Sequence, residues 1–263
     1  MSSIERSRIP ALLFHDVSAE SAGKAPGITV SPEQFRELIG WLGARGYTGI
    51  TAREWLQALN GTGKLPAKPI VITFDDAYAN IAEHALPVLQ SQGFRATVFV
   101  VTSLIGRTNE WDTPKFRSLP LMDARQIRAW AASGMEFGSH SCTHPDLTSL
   151  NEAELQREIT LSRDELASVI AAPVVSFAYP FGRHDERVRR IVSQTYNLAF
   201  SIERGLVTPD GDPMRCCRTE IFPRYSPGRV GLYLRFASAA GLYDRLKRSL
   251  RPLLFPQPQT ARR

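Results

Sequence analysis

The stretch that most constrains this chain is a short β-branched run that ends in two adjacent carboxylates. Residues 70–72 are Ile-Val-Ile, which predicts a strand buried on both faces, and Pro69 can open that strand. Asp75 and Asp76 follow at the carboxyl end of the strand, where α/β folds build their sites. Adjacent carboxylates repel each other unless a cation or a shared proton relieves the repulsion. The pair therefore indicates a metal site, and the alternative is that Asp76 caps a helix beginning near Ala77.

A second polar cluster follows another apolar stretch, within residues 134–144. His140 and His144 are four residues apart, so on a helix or in a tight loop both imidazoles can face one point. With one Asp they form a two-His, one-carboxylate set that leaves positions open for water and substrate. Such a set suits zinc or another divalent ion. Cys142 lies between the two histidines and is the alternative ligand, as a thiolate.

Two motifs taken together resemble a known family. Thr73-Phe-Asp-Asp76 and His140-Ser-Cys-Thr-His144 are similar to the first two motifs of the polysaccharide deacetylase (NodB-homology) family of carbohydrate esterases. The resemblance runs from about Ile9 to about Phe222 and implies an α/β fold, a distorted and incomplete (β/α) barrel of about seven strands. The repeated order of strand, polar residues and helix also predicts parallel βαβ units and a barrel.

The resemblance implies a role for each residue of these motifs. Asp75 is implied as the general base that activates the attacking water, and Asp76, His140 and His144 as the ligands of one divalent ion. Zinc is the expected ion, with nickel, cobalt and manganese as alternatives. A divalent ion lowers the pKa of bound water toward about 7 and polarises an amide carbonyl. The implied reaction is hydrolysis of the N-acetyl group of an amino sugar, in a saccharide or its lipid-linked precursor.

Residues 178–182, Ala-Tyr-Pro-Phe-Gly, resemble the third family motif, which is commonly Arg-Pro-Pro-Tyr-Gly. The backbone amide of Phe181 is the implied oxyanion donor, a role that does not depend on the side chain. We predict that Tyr179 and Pro180 of this motif contact the substrate. Residues 103–120 form a long predicted loop that contains Trp111. Because a long loop beside a site is often a substrate-binding element, we predict that Trp111 contacts the substrate, and the alternative is that the loop is a mobile insertion.

Ala178 stands where the motif usually has an arginine, so the partner of the base has to come from another part of the chain. Arg218 opens an Arg-Thr-Glu-Ile segment that resembles one in the poly-N-acetylglucosamine deacetylase branch of the family. We therefore predict that Arg218 pairs with Asp75. The alternative is that Arg218 is an ordinary surface charge.

The family's usual general acid, a histidine near the carboxyl end, is absent because no histidine follows His184. The same branch has a Tyr-His-Asp-Val-like motif after its first strand, matched here by Phe-His-Asp-Val at residues 14–17. This likeness makes His15 the predicted acid, on the side of the metal away from Asp75. His184, just beyond the third motif, is the rival. An inactive, saccharide-binding member of the family and a deformylase of a lipid-linked amino sugar are the alternative functions.

Composition and charge bound the class of protein. The 263 residues are 43% hydrophobic and 22% charged, which is typical of a soluble protein. No apolar run approaches a membrane span, and residues 1–8 lack an apolar signal core, so we expect a cytoplasmic location and no nucleic-acid partner. Cys216 and Cys217 are adjacent, which favours reduced thiols over a disulfide framework.

The net charge of +6 is uneven along the chain. Nine Lys or Arg but a single acidic residue, Asp244, follow Glu220. We therefore predict a catalytic domain at 1–222 and a basic, partly helical extension at 223–263. Within the extension, residues 227–254 carry leucines among arginines, which favours either peripheral contact with an anionic membrane or partner, or a helix packed on the barrel.

Overall fold

A computed structural model describes residues 8–18, 28–112, 115 and 117–235. These ranges contain eleven β-strands, seven complete α-helices and a further helical stretch at residues 227–235. None of the helices described is both long and apolar enough to cross a membrane. The predicted cytoplasmic location stays a prediction.

The strands are short. In chain order they are β1 (Ile9–Phe14), β2 (Asp16–Val17), β3 (Thr29–Val30), β4 (Thr48–Ile50), β5 (Pro69–Phe74), β6 (Thr97–Val100), β7 (Glu136–Ser139), β8 (Ser176–Ala178), β9 (Leu198–Phe200), β10 (Leu206–Val207) and β11 (Thr219–Glu220). The helices are α1 (Pro32–Ala44), α2 (Ala52–Leu59), α3 (Ala79–His84), α4 (Leu86–Ser91), α5 (Ala124–Ala132), α6 (Glu152–Ile170) and α7 (Glu186–Thr195).

One curled sheet organises the molecule. Its continuous path is β10-β1-β5-β6-β7-β8-β9, and β11 pairs with β1 while β4 pairs with β5. Strands β1, β5, β6, β7, β8 and β9 are mutually parallel, whereas β10 runs antiparallel to β1. This path of seven strands, with helices between them, confirms the predicted incomplete α/β barrel.

Apolar side chains cover both faces of the sheet. On the outer face Leu12 and Ile72 share a buried cluster with Phe35 of α1. On the inner face Val71 belongs to a second cluster that includes Trp55 of α2. Because successive side chains of a strand point to opposite faces, the predicted double burial of residues 70–72 follows from the covering of both faces.

The helical segment after the two carboxylates is divided into two helices, α3 and α4. Pro87 lies in the first turn of α4, where its missing N–H costs no helical hydrogen bond. The cap predicted as the alternative role of Asp76 is wrong, because α3 begins at Ala79 and Tyr78 is its N-cap residue, with no side-chain cap. The two carboxylates therefore lie in the turn between β5 and α3.

The predicted extension begins with residues that join the main core. Residues 227–235 are helical, and Val230 and Leu234 are buried in the same cluster as α1. Gly231 packs closely against Trp41 of α1, since a Cβ there would lie 2.5 Å from the indole ring. Residues 227–235 thus fit the alternative in which a helix of the extension packs on the barrel. Most of the predicted docking segment, beyond residue 235, lies outside the described residues.

Candidate active site

The carboxyl ends of the parallel strands bring the predicted site residues to one edge of the sheet. Asp75 and Asp76 follow β5, His15 follows β1, and His140 follows β7. Phe14 and Phe74 are paired in register, so the turns that leave β1 and β5 start side by side. Residues separated by more than a hundred positions thus share one site.

Asp76, His140 and His144 form a buried cluster in which the ligand-type atoms lie within 4.8 Å of one another. The Nε2 atoms of His140 and His144 are 3.6 and 3.4 Å from Oδ1 of Asp76. Two ligands of a tetrahedral zinc ion, at bond lengths of 2.0–2.1 Å, are about 3.3–3.4 Å apart. The donor types and their spacing therefore fit one divalent ion.

The two histidines are presented in the form that binds metals. Nδ1 of His140 donates to the carbonyl oxygen of Ala178 at 2.7 Å, which leaves its Nε2 with a lone pair toward Asp76. Burial, and then the electrostatic interaction with the neighbouring His140, lower the pKa of His144 to about 3. The ring of His144 is therefore neutral at physiological pH, as a metal ligand requires.

Two aromatic side chains enclose His144. Trp111 stacks on its ring with centroids 4.5 Å apart, and Phe181 meets the ring edge-on at the same distance. The indole of Trp111 thus contacts a ligand side chain, while its role toward a substrate stays a prediction. Phe181 is 46% exposed, so its ring borders the opening of the site.

Backbone strain is concentrated at this site. Six non-glycine residues in the described ranges have positive φ, and five of them lie in its loops: Asp76, Ala77, Ser141, His144 and Phe181. Each such residue costs of order 1–3 kcal/mol and persists only where its surroundings hold it. Loops that turn this sharply aim their side chains back over the end of the barrel.

Asp75 is paired with Arg218, in a fully buried arrangement. Arg218 donates to Oδ1 and Oδ2 of Asp75 at 2.7 and 2.8 Å, and also to Thr73 Oγ1 and the carbonyl of Ser201. Burial acts to raise the pKa of Asp75, but the charge and hydrogen bonds of Arg218, together with the nearby histidines, outweigh it and the net pKa falls to about 2. The alternative of a surface charge is wrong, since Arg218 has no exposed area.

His15 and His184 occupy different surroundings. Because Phe14 and Phe74 are paired in register, His15 and Asp75 leave β1 and β5 side by side. The predicted position of the His15 ring, on the side of the metal away from Asp75, stays a prediction. Nδ1 of this ring is 3.9 Å from the carboxylate of Glu220. His184 stacks on Tyr179, and burial followed by the charge of Arg215 lowers its pKa. His184 is therefore neutral near pH 7.

One predicted substrate contact is corrected by burial. Tyr179 has no exposed area, its ring belongs to the main hydrophobic core, and its hydroxyl donates to the carbonyl of Met214 at 2.9 Å. Pro180 is buried beside the opening formed by Phe181, and its contact with a substrate stays a prediction. The thiolate alternative also fails, because Cys142 Sγ points to carbonyls of α6 and burial raises its pKa to about 11.

Sequence reasoning missed Tyr78, which is fully buried next to the carboxylate pair. Its hydroxyl lies 3.5 Å from Asp112 Oδ2, and burial followed by the charges of Asp76 and Asp112 raises its pKa. The phenol therefore stays protonated and serves as a donor to this acidic cluster. Its position two residues after Asp76 was the available signal.

Comparison with known proteins identifies the family. The sequence profile of the polysaccharide deacetylase family matches residues 62–197. The chain belongs to this family, as its motifs predicted. Enzymes of the family use a divalent metal, and the cluster of Asp76, His140 and His144 could hold one.

Individual relatives agree with this assignment. The poly-beta-1,6-N-acetyl-D-glucosamine N-deacetylase of Staphylococcus epidermidis is 28% identical over 203 residues, covering 72% of this chain and 67% of the relative. YxkH of Bacillus subtilis is 25% identical over 228 residues, covering 86% and 76%. The fold matches that of the Streptococcus pyogenes deacetylase PplD in complex with acetate, with a TM-score of 0.76 and 24% identity over 87% of this chain and 99% of PplD.

Proposed function

We propose that this protein is a divalent-metal-dependent deacetylase that hydrolyses the N-acetyl group of an N-acetylated amino sugar within a saccharide. The observation that carries the proposal is that two buried groups are neighbours. One is Asp75, a carboxylate that Arg218 keeps ionised, and the other is the cluster of three ligand-type side chains that begins with the next residue, Asp76. Hydrolysis of an amide needs both a base for water and an electrophile for the carbonyl.

Asp76, His140 and His144 would hold the ion. When bound, a divalent ion acts as a Lewis acid toward the acetyl carbonyl and lowers the pKa of water. Zinc suits the donor set best, because two imidazoles and one carboxylate at tetrahedral spacing are typical of catalytic zinc sites. The neutral state of His144 supports this assignment.

Asp75 would accept the proton of the attacking water. Arg218 holds both of its oxygens, so the carboxylate is ionised and oriented before the substrate arrives. The backbone amide of Phe181 is assigned to the oxyanion, which fits a residue whose ring already contacts His144. Arg218, directly before β11, would take the part of the family's usual arginine, in whose place this chain has Ala178.

His15 is assigned as the general acid that protonates the leaving amine. The carboxylate of Glu220 lies 3.9 Å from its Nδ1, which can orient the ring. Burial lowers the pKa of His184, which makes the ring of this rival a weaker proton donor. The amine nitrogen leaves only when it gains a proton, so this step needs a donor such as a histidine.

The substrate class is supported by a relative. The Staphylococcus epidermidis protein is named for deacetylation of poly-beta-1,6-N-acetyl-D-glucosamine. We propose a glucosamine-containing saccharide for this chain on that basis. Release of another small acyl group, such as formyl, and saccharide binding without catalysis are the alternatives.

Release of acetate from N-acetylglucosamine oligomers tests the proposal. Protein stripped with a chelator should be inactive, and one equivalent of zinc should restore acetate release. His140→Ala should bind no zinc and release no acetate, whereas His84→Ala, on α3, should retain both. Release of formate alone from an N-formyl analogue would favour the deformylase. A zinc-loaded protein that binds oligomers but releases neither acid would contradict the catalytic function.

A further inference from the structure

A carboxylate on α6 holds the loop that carries His144. Oε2 of Glu158 accepts hydrogen bonds from the backbone N–H groups of Cys142 and Thr143, at 2.9 and 3.0 Å. Oε1 accepts a third from the Thr143 hydroxyl at 2.8 Å. Hydrogen bonds to an ionised acceptor are about twice as strong as neutral ones. Glu158 therefore ties Cys142 and Thr143, which lie between the two histidines, to α6.

The loop needs such a restraint. Ser141 and His144 both have positive φ, at 67° and 62°, a conformation that non-glycine residues adopt at a cost. The Ser141 hydroxyl accepts a hydrogen bond from the His144 N–H at 3.0 Å, which closes the turn from within. Glu158 joins this turn to α6, whose core residues Leu155 and Ile159 are fully buried.

The two histidine ligands differ in how their rings are held. The His140 ring is oriented by the hydrogen bond from its Nδ1 to Ala178. In contrast, Nδ1 of His144 is buried and has no hydrogen-bond partner within the described ranges. Metal-binding histidines usually have such a partner, which sets the ring orientation. The orientation of His144 is therefore set by its stacked neighbours and by its backbone, which Glu158 restrains.

We propose that Glu158 is a positioning residue for the metal site, acting through the backbone of residues 142 and 143 to aim His144. This inference deepens the proposed metal-dependent function. It predicts that the affinity for the ion depends on a side chain that is not itself a ligand. Loss of a partner of this kind typically lowers metal affinity about 10- to 100-fold.

The test is zinc affinity, measured by competition with a chelating dye on metal-free protein. Glu158→Ala should bind zinc about 10- to 100-fold more weakly than the unsubstituted protein. Glu158→Gln should recover most of the affinity, because its amide oxygen can accept both backbone N–H groups and its NH₂ can donate to Thr143. Asp164→Ala is the matched control: it removes an acidic side chain from the same helix. The Asp164 carboxylate accepts a hydrogen bond from Arg163, and its backbone carbonyl accepts one from the Ser168 hydroxyl, so neither holds the loop of His144. The zinc affinity of Asp164→Ala should be unchanged.

A second readout does not depend on the metal. In metal-free protein the amides of residues 142 and 143 should exchange slowly with deuterated solvent, and Glu158→Ala should accelerate their exchange relative to the amides of α6. Zinc affinity and exchange that are unchanged in Glu158→Ala would overturn the proposal. If Glu158→Ala does not fold, Glu158→Asp replaces it, because the shorter side chain withdraws the carboxylate from both backbone N–H groups. An unchanged affinity and unchanged exchange in that variant would equally overturn the proposal. Absence of zinc binding by the unsubstituted protein would instead refute the proposed function, while amide exchange still decides the role of Glu158.

Discussion

The guanidinium of Arg218 donates to both carboxylate oxygens of Asp75, at 2.7 and 2.8 Å. Arg218 directly precedes β11, which pairs with β1, as does β5, the strand that leads to Asp75. Phe99 and Phe200 lie beneath the guanidinium, with ring centroids 5.6 and 5.7 Å from its central carbon. The pair is thus enclosed on the inner face of the barrel. An ion pair in this setting depends on both partners, because either charge alone would be buried without compensation.

Replacing Asp75 by Asn should abolish turnover while most of the bound zinc is retained, because Asp75 is assigned as the base and not as a ligand. The free energy of unfolding should fall by about 3–5 kcal/mol, since the Arg218 charge loses its buried counter-charge. Acetate release, metal analysis and chemical denaturation measure the three quantities. Loss of the metal together with the carboxylate would show that the division of labour between Asp75 and Asp76 is wrong.

Replacing His15 by Ala should lower turnover about 10²- to 10⁴-fold, because the leaving amine would lack its proton donor. Metal content should be unchanged, since His15 is not part of the ligand cluster. His184→Ala is the comparison, and near-normal turnover is expected of it because His184 lies against Tyr179. The opposite pattern of activities would transfer the role of acid to His184.

The metal-free protein should lose stability as the pH falls. The folded-state pKa of His144 is lowered from 6.5 to about 3, mainly by burial. Between these values the unfolded chain binds a proton that the folded chain does not, so the free energy of unfolding should decline from pH 6.5 toward pH 3. Urea unfolding at a series of pH values measures the slope. His144→Gln removes this group, so a slope equal to that of the unsubstituted protein would contradict the assignment.

Replacing Ala171 by Gly should raise the stability. Ala171 ends α6 in the left-handed conformation, with φ of 50° and ψ of 38°, and its side chain is exposed. Glycine adopts this conformation without steric cost, so a gain of about 1 kcal/mol and a rise in Tm of about 2–4 °C are expected. Ala172→Gly, one residue later, is the control and should not raise Tm. An unchanged Tm in Ala171→Gly would refute the prediction.

Much of the site could be predicted because its residues occur in short sequence patterns. A β-branched run followed by two carboxylates, and two histidines four residues apart, identify the ends of β5 and β7. Parallel strands deliver such ends to one edge of a sheet, so the grouping of Asp76 with His140 and His144 follows from the fold class. The beginnings of some helices can be predicted for the same reason. Asn151 and Glu154, three residues apart, have the spacing of a capping box, and they form one at the start of α6.

What the sequence by itself determined, then, was the strands that end in the site, most of the helices and the candidate ligand set, because these depend on residues close together in the chain. Only the tertiary structure decided which distant groups meet them: that Arg218 is buried against Asp75, that Tyr179 faces the core, and that Glu158 holds the loop of His144. These contacts depend on the curvature of the sheet and on the register of helices against it. No local pattern encodes either of them, because both arise when the whole chain packs.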